Sequence, residues 1–197
     1  NNLPPTSRIT TKEIIMNHTM FPFYSAFISD SKAKLIALKM VAGKGASIES
    51  SFGIVGSKIK IGNYLRYCPI CFKEDYDTLG ESYWRRKHQI VGALYCSKHE
   101  VLLKESRVLN NANILDYICA DNDVCSIDIE PDPYPYTIKK FNLVYIRNAE
   151  YLLKGSYQRK EQSLIINTYI DLLRERNLAS KSGYLYLKEL QNKFLEF

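Results

Sequence analysis

The chain has 197 residues, a formal net charge of +6, 46% hydrophobic residues and 12% aromatic ones. That apolar share can build a packed core and excludes a disordered tail. Its longest apolar runs, such as LIAL and IVGAL, fall far short of the roughly 20 residues that span a bilayer, so no membrane is expected among its partners, and no charged-then-apolar leader is read at the start.

Residues 1–57 carry six Lys or Arg and three acids. Within them, TTKEIIMNH predicts a short helix, because Thr10 and Glu13 stand at capping-box spacing before Ile14 and Ile15. FPFYSAF reads as an aromatic loop that finds either a core or a partner, the core being the favoured reading. SKAKLIALKMVAG predicts a helix introduced by Asp30 and Ser31 and stopped by Gly43, with Leu35, Ile36, Leu38, Met40 and Val41 suited to packing on two sides.

Residues 58–107 carry ten Lys or Arg and six acids. KIKIGNYLRY alternates like a strand and delivers Cys68; VGALY predicts a second strand that delivers Cys96, and VLL a third. TLGESYWRRKH, between the two knuckles, predicts one short helix. Residues 108–138 hold six acids and no Lys or Arg, and EPDPYPY reads as an extended linker or surface loop. Residues 139–197 return to a basic balance, eleven against six. Three helices are predicted there: FNLVYIRNAEYLLKG, stopped by Gly155; EQSLIINTYIDLLRERN, with Leu164, Ile165, Tyr169, Leu172 and Leu173 on one side; and YLYLKELQNKFLEF, running to the end. The expected segments are therefore 1–57, 58–107, 108–138 and 139–197.

The sharpest motif is C-x2-C-x24-C-x2-H, formed by Cys68, Cys71, Cys96 and His99. Two ligands two residues apart let one tight turn aim both at one ion. Thiolate and imidazole suit Zn2+, and four of them close a tetrahedron with no open position, which points to one structural zinc. His88 competes with His99, but it stands outside a knuckle. Five cysteines are an odd number for a disulfide framework, and Cys119 and Cys125 read as free or partly buried thiols rather than a second site. No Gly-rich phosphate loop and no acidic triad for two-metal chemistry stands out, and the second knuckle argues against a thiol oxidoreductase, so no enzyme is expected.

HTMFPFY, RYCPIC and GESYWRRKHQIVGALYCSKH together resemble the TniQ/TnsD family of transposon target-selection proteins. The resemblance runs from His18 to about Leu103 and includes Gly80, Glu81, Trp84, Arg86, His88 and Gln89 in order. It implies a cytoplasmic, nucleoid-associated transposition accessory protein corresponding to the N-terminal part of a TnsD-like chain. Such a protein selects target DNA and recruits an AAA+ ATPase regulator (TnsC in this family), which brings the transposase subunits. Family members of the other kind dock on an RNA-guided CRISPR complex as protein adaptors. The later helices resemble the helix-turn-helix-like region that follows the zinc module. The expected fold class is thus α+β, mainly helical: a small zinc-ribbon-like β module followed by a helical, helix-turn-helix-like region.

Basic residues near the knuckles are the expected DNA contacts: Lys58, Lys60 and Arg66 along the strand, and Arg85, Arg86 and Lys87 on the inter-knuckle helix. Three consecutive residues of a helix fan over about 300°, so one of them is expected to pair with Glu81 instead. Trp84 is expected to anchor the ribbon core. The plainer alternative for all these cations is solvated surface charge.

Overall fold

The computed structural model describes residues 8–43, 52, 62–110 and 118–195. Lys58 and Lys60 lie outside them. The fold is α+β and mainly helical, and it builds outward from a Cys/His cluster.

Helix α1 (Thr11–His18) starts where the capping box requires: the Glu13 amide donates to Thr10 Oγ1 at 3.2 Å, and Thr10 N donates to Glu13 Oε2 at 2.7 Å. FPFYSAF is a short helix rather than a loop. Pro22, without an amide hydrogen to leave unpaired, opens α2 (Phe21–Ser25), whose Phe21, Pro22 and Ser25 are buried. Helix α3 (Asp30–Val41) begins at Ser29, which accepts from Lys32 N at 3.4 Å, and ends before Gly43 at φ +68°. Its packing is one-sided, not two-sided. Ala33 and Ile36 are buried against Ile15 and Phe21, whereas Leu35, Leu38 and Val41 are 54%, 66% and 57% exposed.

KIKIGNYLRY is a strand only at β1 (Tyr64–Tyr67) within the described residues. It pairs antiparallel with β2 (Lys104–Leu109) in the register Arg66 opposite Glu105 and Tyr67 opposite Lys104. VGALY and VLL do not form strands; they meet at one bridge, Tyr95 to Leu102. The helix expected between the knuckles lies earlier. Pro69 opens α4 (Pro69–Leu79) and Gly80, at φ +77°, stops it. After that, ESYWRRKH is mostly irregular, with a 3-10 turn over Arg86–Gln89.

Helix α5 (Tyr136–Leu153) carries Leu143, Ile146, Ala149 and Leu153 at helical spacing, and this face is buried on Ile90, Ala93 and Tyr95. Ile146, 1% exposed, contributes about 1.5–3 kcal/mol by burial of this kind. Asn142 fixes the register: Oδ1 accepts from Leu94 N at 2.9 Å and Nδ2 donates to Gly92 O at 2.8 Å. EPDPYPY is an exposed, irregular surface loop up to the start of α5, but the acidic segment is anchored to the rest of the fold. Ala120 and Cys125 pack on Tyr67 and Phe72, Ala120 bridges Ser82, and the Tyr95 hydroxyl donates to Asp132 Oδ1 at 2.8 Å. Helix α6 (Gln162–Glu175) buries none of its residues. The last helix, α7 (Leu187–Leu195), starts later than YLYLKEL predicts, because Leu185 pairs with Ala179 first.

Candidate metal centre

Among the described residues, Cys68, Cys71, Cys96 and His99 place one donor atom each within 4.8 Å of the others. Strand β1 ends at Tyr67 and α4 begins at Pro69, so Cys68 is the helix N-cap. Its sulfur accepts from Cys71 N at 3.5 Å. Both sulfurs therefore sit at a helix N-terminus, where the amide dipoles favour thiolate. The second knuckle is a closed turn: Glu100 N donates to Cys96 O at 2.8 Å, Cys96 N donates to Val101 O at 2.8 Å, and Glu100 takes φ +54°.

The separations fit a tetrahedral ion. With metal–sulfur bonds of about 2.3 Å and a metal–nitrogen bond of about 2.0–2.1 Å, tetrahedral geometry puts sulfurs about 3.8 Å apart and sulfur about 3.6 Å from nitrogen. Cys71 and Cys96 sulfurs are 3.8 Å apart, and His99 Nδ1 is 3.4, 3.4 and 3.8 Å from the sulfurs of Cys68, Cys71 and Cys96. All three sulfurs are buried; Cys68 and Cys96 are fully so. Without a cation they cannot all ionise. Hydrogen bonds from Cys68 and Cys71 pull the Cys96 thiol down, and the hydrogen-bonded neighbours Cys68 and Cys96 push Cys71 up. A divalent ion removes that conflict, so the four side chains could hold one.

His99 presents Nδ1 to the sulfurs because its other nitrogen is committed. Nε2 lies 3.1 Å from Glu74 Oε1, a carboxylate that also binds Lys98 Nζ at 2.5 Å. The Lys98 ammonium, then His99, hold Glu74 below the usual carboxylate range. Sequence reading missed Glu74, although it stands one helical turn after Cys71 and therefore on the same face. His88 does not take a ligand position. It is buried behind Cys96, burial pushes its pKa down, and Nε2 has no hydrogen-bond partner.

The described basic candidates all turn inward. Arg66 donates to Ile90 O at 2.8 Å and to Ala93 O. Arg85 pairs with the buried Asp75 at 2.5 Å rather than with Glu81. Asp75 stands one turn after Cys71 on α4, whereas no helix carries Glu81 and Arg85 together at the i,i+4 spacing that would pair them. Arg86 donates to Met16 O at 2.7 Å, Thr19 O at 2.9 Å and Leu153 O at 3.1 Å, and so clamps α1 and α5 to the centre. Lys87 reaches Ser97 Oγ at 3.3 Å and Glu150 at 3.6 Å. Trp84 is half-buried against the Tyr67–Phe72 cluster, and its indole N–H donates to Ile118 O at 2.8 Å.

No helix of the described residues is long and apolar enough to cross a membrane. Over 111 residues the chain is 30% identical to the Transposon Tn7 transposition protein TnsD of Escherichia coli, an alignment that covers 56% of this chain and 22% of that relative. The chain thus spans about a fifth of the length of the curated relative it matches. A family model described as TniQ matches residues 1–103, which include all four donors of the cluster and more than half of the sequence. The chain belongs to the TniQ family.

Proposed function

We propose that this chain is a non-catalytic transposition accessory protein that takes part in selecting target DNA and in recruiting an AAA+ ATPase regulator of the transposase. The observation that carries the reading is the family match over residues 1–103, together with the likeness to a relative named as a transposition protein. One structural Zn2+ held by Cys68, Cys71, Cys96 and His99 belongs to the same proposal. The donor set and its separations suit zinc, and a closed four-ligand shell supplies rigidity rather than catalysis. Segments 1–57, 58–107, 108–138 and 139–197 remain its proposed units.

DNA contact in this reading falls to Lys58 and Lys60 and to lysines with no partner among the described residues, such as Lys140 and Lys154. Arg66, Arg85, Arg86 and Lys87 are left mainly as internal fasteners. That inward use favours a second reading, in which the chain is a protein adaptor, docked on an RNA-guided complex, that does not read DNA itself. Selection from fragmented bacterial genomic DNA at two salt concentrations separates the two. Phosphate contacts weaken as salt rises, while sequence choice still enriches one site. Enrichment supports the selector; weak, salt-sensitive binding or none supports the adaptor.

A further inference from the structure

An apolar concave surface lies away from the metal centre. It has a volume of about 710 Å3 and is lined by α1, Phe21 of α2, α3, and Gly155 and Arg159 from the segment after α5. Ile15, Met16, Phe21, Ala33 and Ala37 form its floor and walls, and Leu38 and Val41 its outer edge. The apolar surface does not stop at the edge. Leu35, Leu38 and Val41 follow one another at three-residue spacing along the outside of α3, all more than half exposed. From that edge the apolar row runs about 9 Å along α3, at 1.5 Å per residue, and Leu35 carries it beyond the groove. A compact small molecule would leave that row uncovered; an elongated segment would cover both.

Among the described residues that line the groove, the charged ones are Lys12, Lys34 and Arg159, with no Asp or Glu. Arg159 pairs with Asp30 at 3.2 Å and also donates to Ser25 O, so it is held in place. Lys12 and Lys34 are exposed and have no partner among the described residues. An apolar trough edged by lysines suits an occupant with apolar anchors and carboxylates on its flanks, and rejects a basic one.

We propose that the α1–α3 groove docks an acidic amphipathic helix of a protein partner, with apolar side chains in the trough and Asp or Glu against Lys12 and Lys34. The proposal rests on that part of the functional reading in which the chain recruits a protein. It adds where the partner binds and what chemistry it presents.

The test uses the intact zinc-loaded chain and a fluorescein-labelled helical peptide with leucines at i, i+3 and i+7 and glutamates on both flanks. A matched peptide replaces every glutamate with lysine. Fluorescence anisotropy should show the glutamate peptide binding at least about tenfold more tightly than the lysine peptide. Leu38→Glu should weaken it by about tenfold or more, since an anchor contact is lost. The double variant Lys12→Glu/Lys34→Glu should reverse the preference between peptides. All three positions are exposed, so the variants should keep the wild-type thermal melting temperature. Failure of the glutamate peptide to bind, equal binding of both peptides, or an unchanged affinity in Leu38→Glu overturns the proposal. So does a wild-type dimer in sedimentation that Leu38→Glu dissolves, because the occupant would then be a second copy. DNA selection run on the same samples keeps the two claims apart. Lost selection with intact peptide preference sinks the DNA reading alone, and the reverse sinks the docking site alone.

Discussion

Arg86→Ala should unfold the protein more easily rather than merely weaken its grip on DNA. One guanidinium donates to Met16 O at 2.7 Å, Thr19 O at 2.9 Å and Leu153 O at 3.1 Å. Met16 and Leu153 lie in the last turns of α1 and α5, and Thr19 follows α1. Carbonyls at such ends lack intrahelical partners, and a cation there also meets the negative end of the helix dipole. Hydrogen bonds with one charged partner contribute about 1.5–3 kcal/mol each, and because Arg86 is only half-buried, the three together are worth about 2–4 kcal/mol. Urea denaturation of the zinc-loaded chain measures this. With a slope of about 2–3 kcal/mol per M, the midpoint should fall by roughly 1 M. Arg86→Lys should recover less than half of that, because an ammonium cannot fork to three acceptors held at different angles. A midpoint shift under about 0.2 M, with DNA affinity clearly reduced, would refute the reasoning and return Arg86 to a surface role.

Three further changes test other parts of the account. Glu74→Gln removes the carboxylate that fixes the His99 ring, and metal affinity measured by competition with a chelator should fall about 10- to 100-fold. Gly155→Ala forces a side chain into φ +68°, with its Cβ 2.7 Å from the Met16 Cε, and should cost about 1–2 kcal/mol in thermal unfolding. Cysteine alkylation at pH 8 should mark Cys119 alone in the native zinc-loaded chain. Cys119 is exposed, while burial, then the Asp121 charge, pushes the Cys125 thiol up to about 12 and leaves about one part in ten thousand as thiolate at that pH. Rapid modification of Cys125 would mean that the acidic segment does not pack on Tyr67 and Phe72.

The Cys/His cluster was legible because a candidate metal site leaves a local signature: two knuckles whose spacing lets one turn aim two side chains. Caps were legible for the same reason, since Thr10 with Glu13 and the stops at Gly43 and Gly155 act within one turn. The inter-knuckle helix was misplaced although its bounds were present as Pro69 and Gly80, a proline that opens a helix and a glycine that closes one. Apolar and basic residues after Gly80 mimic helical periodicity, yet long-range partners pull them straight: Asp75 takes Arg85, and three remote carbonyls take Arg86. Those partners lie up to 70 residues away in sequence, and no local pattern announces them. The one-sided packing of α3 was hidden likewise, because apolar periodicity does not say whether the second face meets this chain or another.

The central claim is that a zinc-stapled TniQ module takes part in choosing a DNA target. The most direct measurement is site selection from fragmented genomic DNA with the chain in two states, zinc-loaded and chelator-stripped, beside its metal stoichiometry by native mass spectrometry. The account predicts one zinc per chain and a single enriched site that vanishes when the metal is removed. A chain that carries no zinc, or enrichment that is absent or unchanged after stripping, would contradict it.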